Sequence, residues 1–412
     1  MIRSALLSLT AATALLLAAG VQAQQPPSQG PGQTRAQGKV VPSPKPEPPP
    51  MPKESSLFLD HREEMRRFVL AISHYARSQR KDFAIVAQNG LELLNKLEGV
   101  EESKPRPAPA RAYTMALDGI LVEGFHYGYR QFDTPMPPVR RKKTLPLLQQ
   151  AKKAGVKILT VDYALDSLHV DDAYRQSQEL GYVPFVAQAR GLDLNFLPHS
   201  PKTPVNENAD HILSFRDVRN FAWLVDTTPH GTEAQFALKM HETNYDLLIV
   251  PVFHGRTPLS RQAVETLRYK KLGSRRLVFA QVNIGMAAAY DYFWKPEWKE
   301  GAPSFVSASV TGNPDLHWIE YWKPEWQKIV SGDPNSYIYG VIAQGFDGIV
   351  LDGLDTYQFF EGPQKKEEDE EEEEEIAVKP EEAKPASPPQ QQPTPKPSGP
   401  MVLSPAAGSL PQ

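Results

Sequence analysis

The chain has 412 residues, 40 of them proline and none cysteine, with a formal net charge of −4. Without a thiol it can form no disulfide, offer no thiolate to a metal and carry no lipid on a cysteine, so an exported fold must rest on its core alone. The stretch from Gly362 to Gln412 holds 11 acidic against 5 basic residues, a net of −6, which leaves the remainder at about +2 with no basic stripe of the kind that marks nucleic-acid binders.

In chain order, residues 1–23 join Met1-Ile2-Arg3, an apolar run from Ala5 to Ala19, and Val21-Gln22-Ala23. These are the basic, hydrophobic and small-residue parts of a secretory signal, and cleavage is expected after Ala23. The apolar run is shorter than the roughly 20 residues that cross a bilayer, and no second one follows. The cleaved protein is therefore expected to be secreted or periplasmic, without a transmembrane segment; uncleaved, the same run would be an anchor. Residues 24–56 are rich in Pro and Gln, and 362–412 are acidic and Pro-rich; such compositions bury too little apolar surface to fold. The acidic run from Glu367 to Glu375 reads first as a solvating, self-repelling segment, and otherwise as a binder of cations or of a basic polymer. What remains, 57–361, has the length of one α/β barrel.

Apolar and β-branched runs bounded by Gly, Asp or Pro predict eight strands there: Phe83 to Asn89, Leu117 to Glu123, Lys157 to Tyr163, Tyr182 to Ala187, Asn220 to Asp226, Asp246 to Val250, Leu277 to Gly285 and Phe346 to Asp352. Several are apolar without alternation, as parallel strands covered on both faces are. Between them, Asp60 to Ser78 spaces Met65, Phe68, Val69, Ile72 and Tyr75 along one helical face. Leu145 to Ala154, Val170 to Leu180 and Pro258 to Leu272 each stop at a glycine, Gly155, Gly181 and Gly273. The pattern predicts an α/β fold, a (β/α)8 TIM barrel. An open doubly wound sheet is the rival, weakened in its nucleotide-binding form because no Gly-x-Gly-x-x-Gly turn follows any strand.

Two strands echo each other: Asp118-Gly119-Ile120-Leu121-Val122-Glu123 and Asp347-Gly348-Ile349-Val350-Leu351-Asp352. Carboxyl-terminal strand ends face the one mouth of a parallel barrel where sites form, which makes Glu123 and Asp352 candidate catalytic residues. Two converging carboxylates suit glycoside hydrolysis, since one protonates the leaving oxygen while the other attacks the sugar or activates water. Taken singly, each reads as a helix cap or an ion-pair partner. Asp355 reads equally as a supporting group and as a loop residue.

Phe125, Tyr127 and Tyr129 follow Glu123, and Tyr357, Phe359 and Phe360 follow Asp352, placed either to stack on sugar rings or to pack. Trp294-Lys295-Pro296-Glu297-Trp298 recurs as Trp322-Lys323-Pro324-Glu325-Trp326, which reads as a groove lining or as a helix start at the Pro with Trp in the core. The ten histidines, among them His126, His254 and His317, show no His-Glu-x-x-His spacing, so no metal is expected. Neither a Gly-x-Ser-x-Gly elbow nor a Gly-Lys-Ser/Thr phosphate loop occurs.

Leu247-Leu248-Ile249-Val250, Val282-Asn283-Ile284-Gly285, Tyr321 to Trp326 and Gly345 to Asp355 resemble glycoside hydrolase family 114, the endo-α-1,4-polygalactosaminidase-like barrels. So do Gln88-Asn89-Gly90, Leu117 to Glu123, Val161-Asp162-Tyr163 and Gly181 to Ala187, so the likeness covers nearly all of 57–361. In that family the segment similar to 220–355 comes first, and this chain resembles a circularly permuted member, with its ends near Leu57 and Glu361 expected to meet. The resemblance implies cleavage within a galactosamine-containing polysaccharide, with Asp352 as nucleophile or base, Glu123 as general acid, and no metal or organic cofactor. Candidate substrate-binding residues are Asp355, Tyr127, Trp294, Trp322, Tyr163, Asp162, Asn89 and Asn283.

Three positions depart from the family pattern. Met286 stands where Ile-Gly is usually followed by Glu, Pro251 where Asp commonly follows the strand, and Asp291 where Arg is usual. All three are expected to border the cleft, and losing two acids would change how a cationic sugar is held. Two functional readings result: an endo-acting glycosidase, or a non-catalytic glycan-binding or envelope-assembly protein on the same barrel. A metal-dependent deacetylase ranks third, because its ligand cluster is missing.

Overall fold

The structure, a computed structural model, describes residues 59–98, 106–188 and 194–362. The expected signal, the linker of 24–56 and the acidic run lie outside the described residues. No helix among the described residues is long and apolar enough to cross a membrane.

Eight parallel strands form the frame: β1 (Ala84–Gln88), β2 (Gly119–Glu123), β3 (Lys157–Tyr163), β4 (Val183–Ala187), β5 (Phe221–Trp223), β6 (Leu247–Pro251), β7 (Leu277–Asn283) and β8 (Gly348–Asp352). Their spatial order is β4-β3-β2-β1-β8-β7-β6-β5, so neighbours in sequence are neighbours in space and the last strand pairs with the first. The end strands β4 and β5 lie against each other without a hydrogen-bonded ladder, which leaves the barrel nearly closed. Nearly every strand residue is buried, the outer faces by helices and the inner faces by one another, and this explains the unalternating apolar runs.

The helices follow local signals. The helix α1 (His61–Gln79) starts where the Asp60 side chain accepts from the Glu63 amide at 2.9 Å, with Glu63 and Glu64 in its first turn, and it buries Met65, Phe68, Val69 and Ile72. Next come α2 (Arg111–Ala116), α3 (Pro138–Lys153), α4 (Ser167–Glu179), α5 (Glu233–His241), α6 (Arg261–Leu267), α7 (Pro324–Val330), α8 (Tyr337–Gln344) and α9 (Tyr357–Glu361). The α3 helix begins earlier than its periodicity suggests because Pro138 is acceptable at a helix start. In contrast, α6 is shorter than expected, capped by Ser260. The two Trp-Lys-Pro-Glu-Trp blocks part company: only the second opens a helix, with Pro324 in its first turn. A three-stranded antiparallel insertion, Met286–Ala288, Val306–Val310 and Asn313–Ile319, which sequence periodicity missed, stands between β7 and α7.

After β4 no α-helix appears among the described residues; a largely irregular segment with one 3-10 turn, Phe215–Asp217, leads to β5 instead. Buried Lys270 holds it, donating to the Asn208 and Asp210 carbonyls and to Asp246 at 2.6 Å. Its Phe215 plugs the amino-terminal end of the barrel. The glycines of the two echoing segments are explained here: a Cβ on Gly119 would lie 2.6 Å from the Phe215 ring, and one on Gly348 2.8 Å from the Phe279 ring. The side chains of the aspartates before them accept the amide of the second residue of the neighbouring strand, Asp118 from Ile85 and Asp347 from Val278. Near the two ends of the described residues Arg62 pairs with Glu361 at 2.9 Å; Leu57 lies outside them.

Candidate functional site

At the carboxyl-terminal mouth, Glu123 ends β2 and Asp352 ends β8, with β1 between them. Glu123 Oε1 accepts from Gln88 Nε2 at 2.9 Å and from Asn89 Nδ2 at 2.8 Å, and Oε2 accepts from the Tyr163 hydroxyl at 2.6 Å. Asp352 Oδ1 accepts from the Gly353 amide at 2.6 Å, and Oδ2 accepts from Asn283 Nδ2 at 3.2 Å and from Gln281 Nε2 at 3.5 Å. The same Gln281 nitrogen donates to Gln88 Oε1 at 3.2 Å, and Gln281 Oε1 accepts from the Trp223 indole at 3.1 Å. Two amides thus bridge the two carboxylates, and a buried tryptophan anchors the bridge.

The backbone is bent to make this possible. Asn89 and Gly90 both adopt left-handed φ values, 55° and 59°, a conformation that Asn tolerates and Gly takes freely. The bend turns the Asn89 amide back on Glu123, so that Oδ1 also accepts the Glu123 backbone amide at 3.1 Å. On the other side, Asn283 Oδ1 accepts from the amides of Gly285 and Met286, which leaves Nδ2 aimed at Asp352. Strained backbone of this kind persists where surrounding contacts over-determine it, as at ligand and active sites.

Burial pushes the Asp352 carboxyl up to about 6, aided by the charges of Glu123 and Asp355 and opposed by the bonds from Gly353 and Asn283. Asp355 opens onto the cleft, and surrounding protein followed by the charges of Glu92 and Glu123 raises its carboxyl too. A cleft of about 280 Å³ lies between Glu123, Asp355, Glu92, Asn89 and the Tyr129 ring, with the Arg140 guanidinium 5.2 Å over that ring. Glu92 accepts from the Tyr357 hydroxyl at 3.2 Å and faces Arg140 at 3.8 Å. Acidic groups outnumber cations in this cleft; Asp352 and Asn283 do not line it, and Asp352 is connected to Glu123 through the Gln281 and Gln88 amides.

Of the residues expected from sequence, Asp352, Glu123, Asp355, Asn89, Tyr163 and Asn283 come together here. The other four are turned elsewhere. Asp162 points to the opposite side of β3 from Tyr163, where its Oδ1 accepts the amides of His126 and Tyr127. The Tyr127 hydroxyl donates to Asp172, and its ring stacks on His169 at 4.6 Å. Trp294 packs on Trp298 and His317 beside the antiparallel insertion, and Trp322 packs on His61 and Phe360 at the chain ends. Structural contacts account for all four. Pro251, Met286 and Asp291 do not line the 280 Å³ cleft, and Asp291 caps its own loop by accepting the Ala288 amide. Gln88, Gln281, Trp223, Glu92 and Arg140 were missed. A glutamine inside the apolar run of β7, in phase with Asn283, was the readable signal for an inward polar group.

Fold and site together define an α/β barrel with a carboxylate pair at its carboxyl-terminal mouth. No family model matches the chain. It is 37% identical over 81 residues to an uncharacterized protein of Thermotoga maritima, covering 20% of this chain and 24% of that one. A Deinococcus radiodurans uncharacterized protein is 31% identical over 137 residues, covering 33% and 41%, and one from Methanocaldococcus jannaschii is 28% identical over 119 residues, covering 29% and 33%. The chain spans less than half the length of each of these relatives.

Proposed function

We propose that this protein is a glycoside hydrolase acting within an amino-sugar polysaccharide, with Asp352 and Glu123 as its catalytic pair on a circularly permuted barrel resembling family 114. The observation that carries this reading is the pair itself: two carboxylates at the ends of the two strands that flank β1, joined through Gln88 and Gln281 and differing in environment. Environments that set two carboxyls apart divide acid from base. Asp352, pushed up to about 6, is the proton carrier and protonates the leaving oxygen. Both carboxylates accept from three donors, so the raised Asp352 carboxyl alone sets the division, and it leaves Glu123 as nucleophile or base. This division is the reverse of the one that the family resemblance implies. The acidic cleft suits a cationic sugar.

The test is release of reducing ends from a panel of polysaccharides, polygalactosamine included, by the full chain beside Glu123→Gln and Asp352→Asn. Both variants should abolish release while remaining folded. On an aryl glycoside whose leaving group needs no proton, Asp352→Asn should keep activity and Glu123→Gln should lose it. Glycan binding without cleavage on every polymer would instead support the non-catalytic reading.

A further inference from the structure

A cavity of about 1180 Å³ lies at the opposite, amino-terminal mouth of the barrel, among the starts of β1, β2, β3, β4, β7 and β8 and the Phe215 plug. Three of its arginines are neutralised locally: Arg77 pairs with Asp118 at 2.8 Å, Arg80 with Asp82 and Asp347, and Arg275 with Asp347. Four more cations line it, Lys81, Lys152, Lys157 and Arg216; none is in an ion pair within 4 Å among the described residues, and Lys157 feels the charges of Asp217 and Asp246 from farther off. Seven cations against three acids leave an excess of four positive charges. Lys157 is half-buried, its ammonium satisfied only by the Val218 carbonyl at 2.6 Å, and burial lowers its pKa. A concave wall carrying several uncompensated cations attracts a run of anions.

Such a run is tethered to the same barrel. Glu367 to Glu375 places nine acidic residues in succession, beginning five residues beyond Gly362. The Arg62 to Glu361 pair sets Gly362 beside the first turn of α1, and Arg77 in the last turn of that helix lines the cavity. The 19 residues of α1 span about 28 Å. An extended chain covers that in about nine residues, so the length of chain after Gly362 suffices for Glu371 to Glu375 to reach the cavity. Attachment on the same chain raises the local concentration of these carboxylates to about the millimolar range.

We infer that the acidic run Glu367 to Glu375 docks in the amino-terminal cavity and pairs with Lys81, Lys152, Lys157 and Arg216. This stands independently of the glycosidase reading, since it uses the opposite mouth and none of the same residues.

Because the chain has no cysteine, introduced thiols report the contact in the full-length protein. Glu373→Cys is combined with Met115→Cys, an exposed uncharged position lining the cavity, or with Leu168→Cys, equally exposed but at the start of α4. A short bis-maleimide should join 373 to 115 about tenfold faster than 373 to 168 at low salt, and the preference should vanish at about 1 M salt, where screening acts within about 3 Å. Adding Lys81→Glu with Arg216→Glu, both exposed and outside the core, should abolish it as well. Equal rates for the two positions, a preference that survives charge reversal, or cross-links that form only between two molecules would each overturn docking within the chain.

Discussion

The side-chain nitrogen of Gln281 stands 3.2 Å from the side-chain oxygen of Gln88 and 3.5 Å from Asp352, while the nitrogen of Gln88 stands 2.9 Å from Glu123. The two carboxylates are therefore oriented through one another's supports, and the orientation is set by a tryptophan that reaches Gln281 from β5.

Gln281→Leu should disturb both ends of this chain of bonds. It leaves the buried Trp223 indole and the Gln88 oxygen without partners, at a cost of about 1 to 3 kcal/mol. Urea unfolding of the variant measures that loss; an unchanged midpoint would mean that the amide bridge does not hold the site.

Tyr163→Phe removes one donor from Glu123 while keeping the ring in its buried place. On a cleaved polysaccharide, kcat should fall about tenfold with KM nearly unchanged, as expected for a bond that matters more in the transition state than in the ground state. A rise in KM alone would assign the hydroxyl to substrate binding.

The pH dependence of activity follows from Asp352. As the group pushed up to about 6 loses its proton, the acid is lost, so kcat/KM should decline as pH rises through about 6. A profile that climbs through that interval would make Asp352 the base and restore the division of roles that the family resemblance implies.

The pH dependence of stability follows from Asp162, which is wholly buried and raised from 3.8 to about 7 by desolvation, against the bonds from Tyr127 and His126. A raised carboxyl keeps in the folded state a proton that the unfolded chain has released. Its stabilising contribution is thus complete below about 4 and is lost as pH rises to about 7, amounting to about 4 kcal/mol. Asp162→Asn should flatten stability across that window, as measured by denaturant midpoints at pH 4.5 and 7.5. The same slope in variant and parent would place the titrating group elsewhere.

Gly119→Ala drives a methyl into the Phe215 ring and should destabilise the barrel by about 1 to 3 kcal/mol. Phe215→Leu in the same chain should recover part of that loss. Additive losses in the double variant would mean that the two residues do not touch.

Much of the frame was legible in the chain. Gly155 and Gly181, both at positive φ, follow the ends of their helices, whereas Gly273 lies in a turn six residues past α6; the apolar runs mark every barrel strand within a few residues, because both signals are local. Glu123 and Asp352 were legible for a related reason, since a carboxylate closing an apolar run sits at a strand end whatever the partners are. Less legible was which way a residue faces. Asp162 and Tyr163 are adjacent and both buried, and only the pleat of β3 sends the tyrosine to Glu123 and the aspartate to the loop behind it. Nor did the repeated Trp block show its use: Trp326 reaches the Ile284 carbonyl in the core, while Trp294 covers an antiparallel insertion that helical and strand periodicity did not mark.

By itself, then, the sequence determined the parallel α/β class, the eight strands and the ends at which the acids stand, since each follows from the spacing of neighbouring residues. Tertiary structure alone decided that Gln88 meets Gln281 across 193 positions, that Phe215 fills the space Gly119 leaves, and that the protein around Asp352 raises its carboxyl. These depend on which strands lie side by side and on how much protein surrounds a charge, and neither quantity is written in any local stretch of the chain.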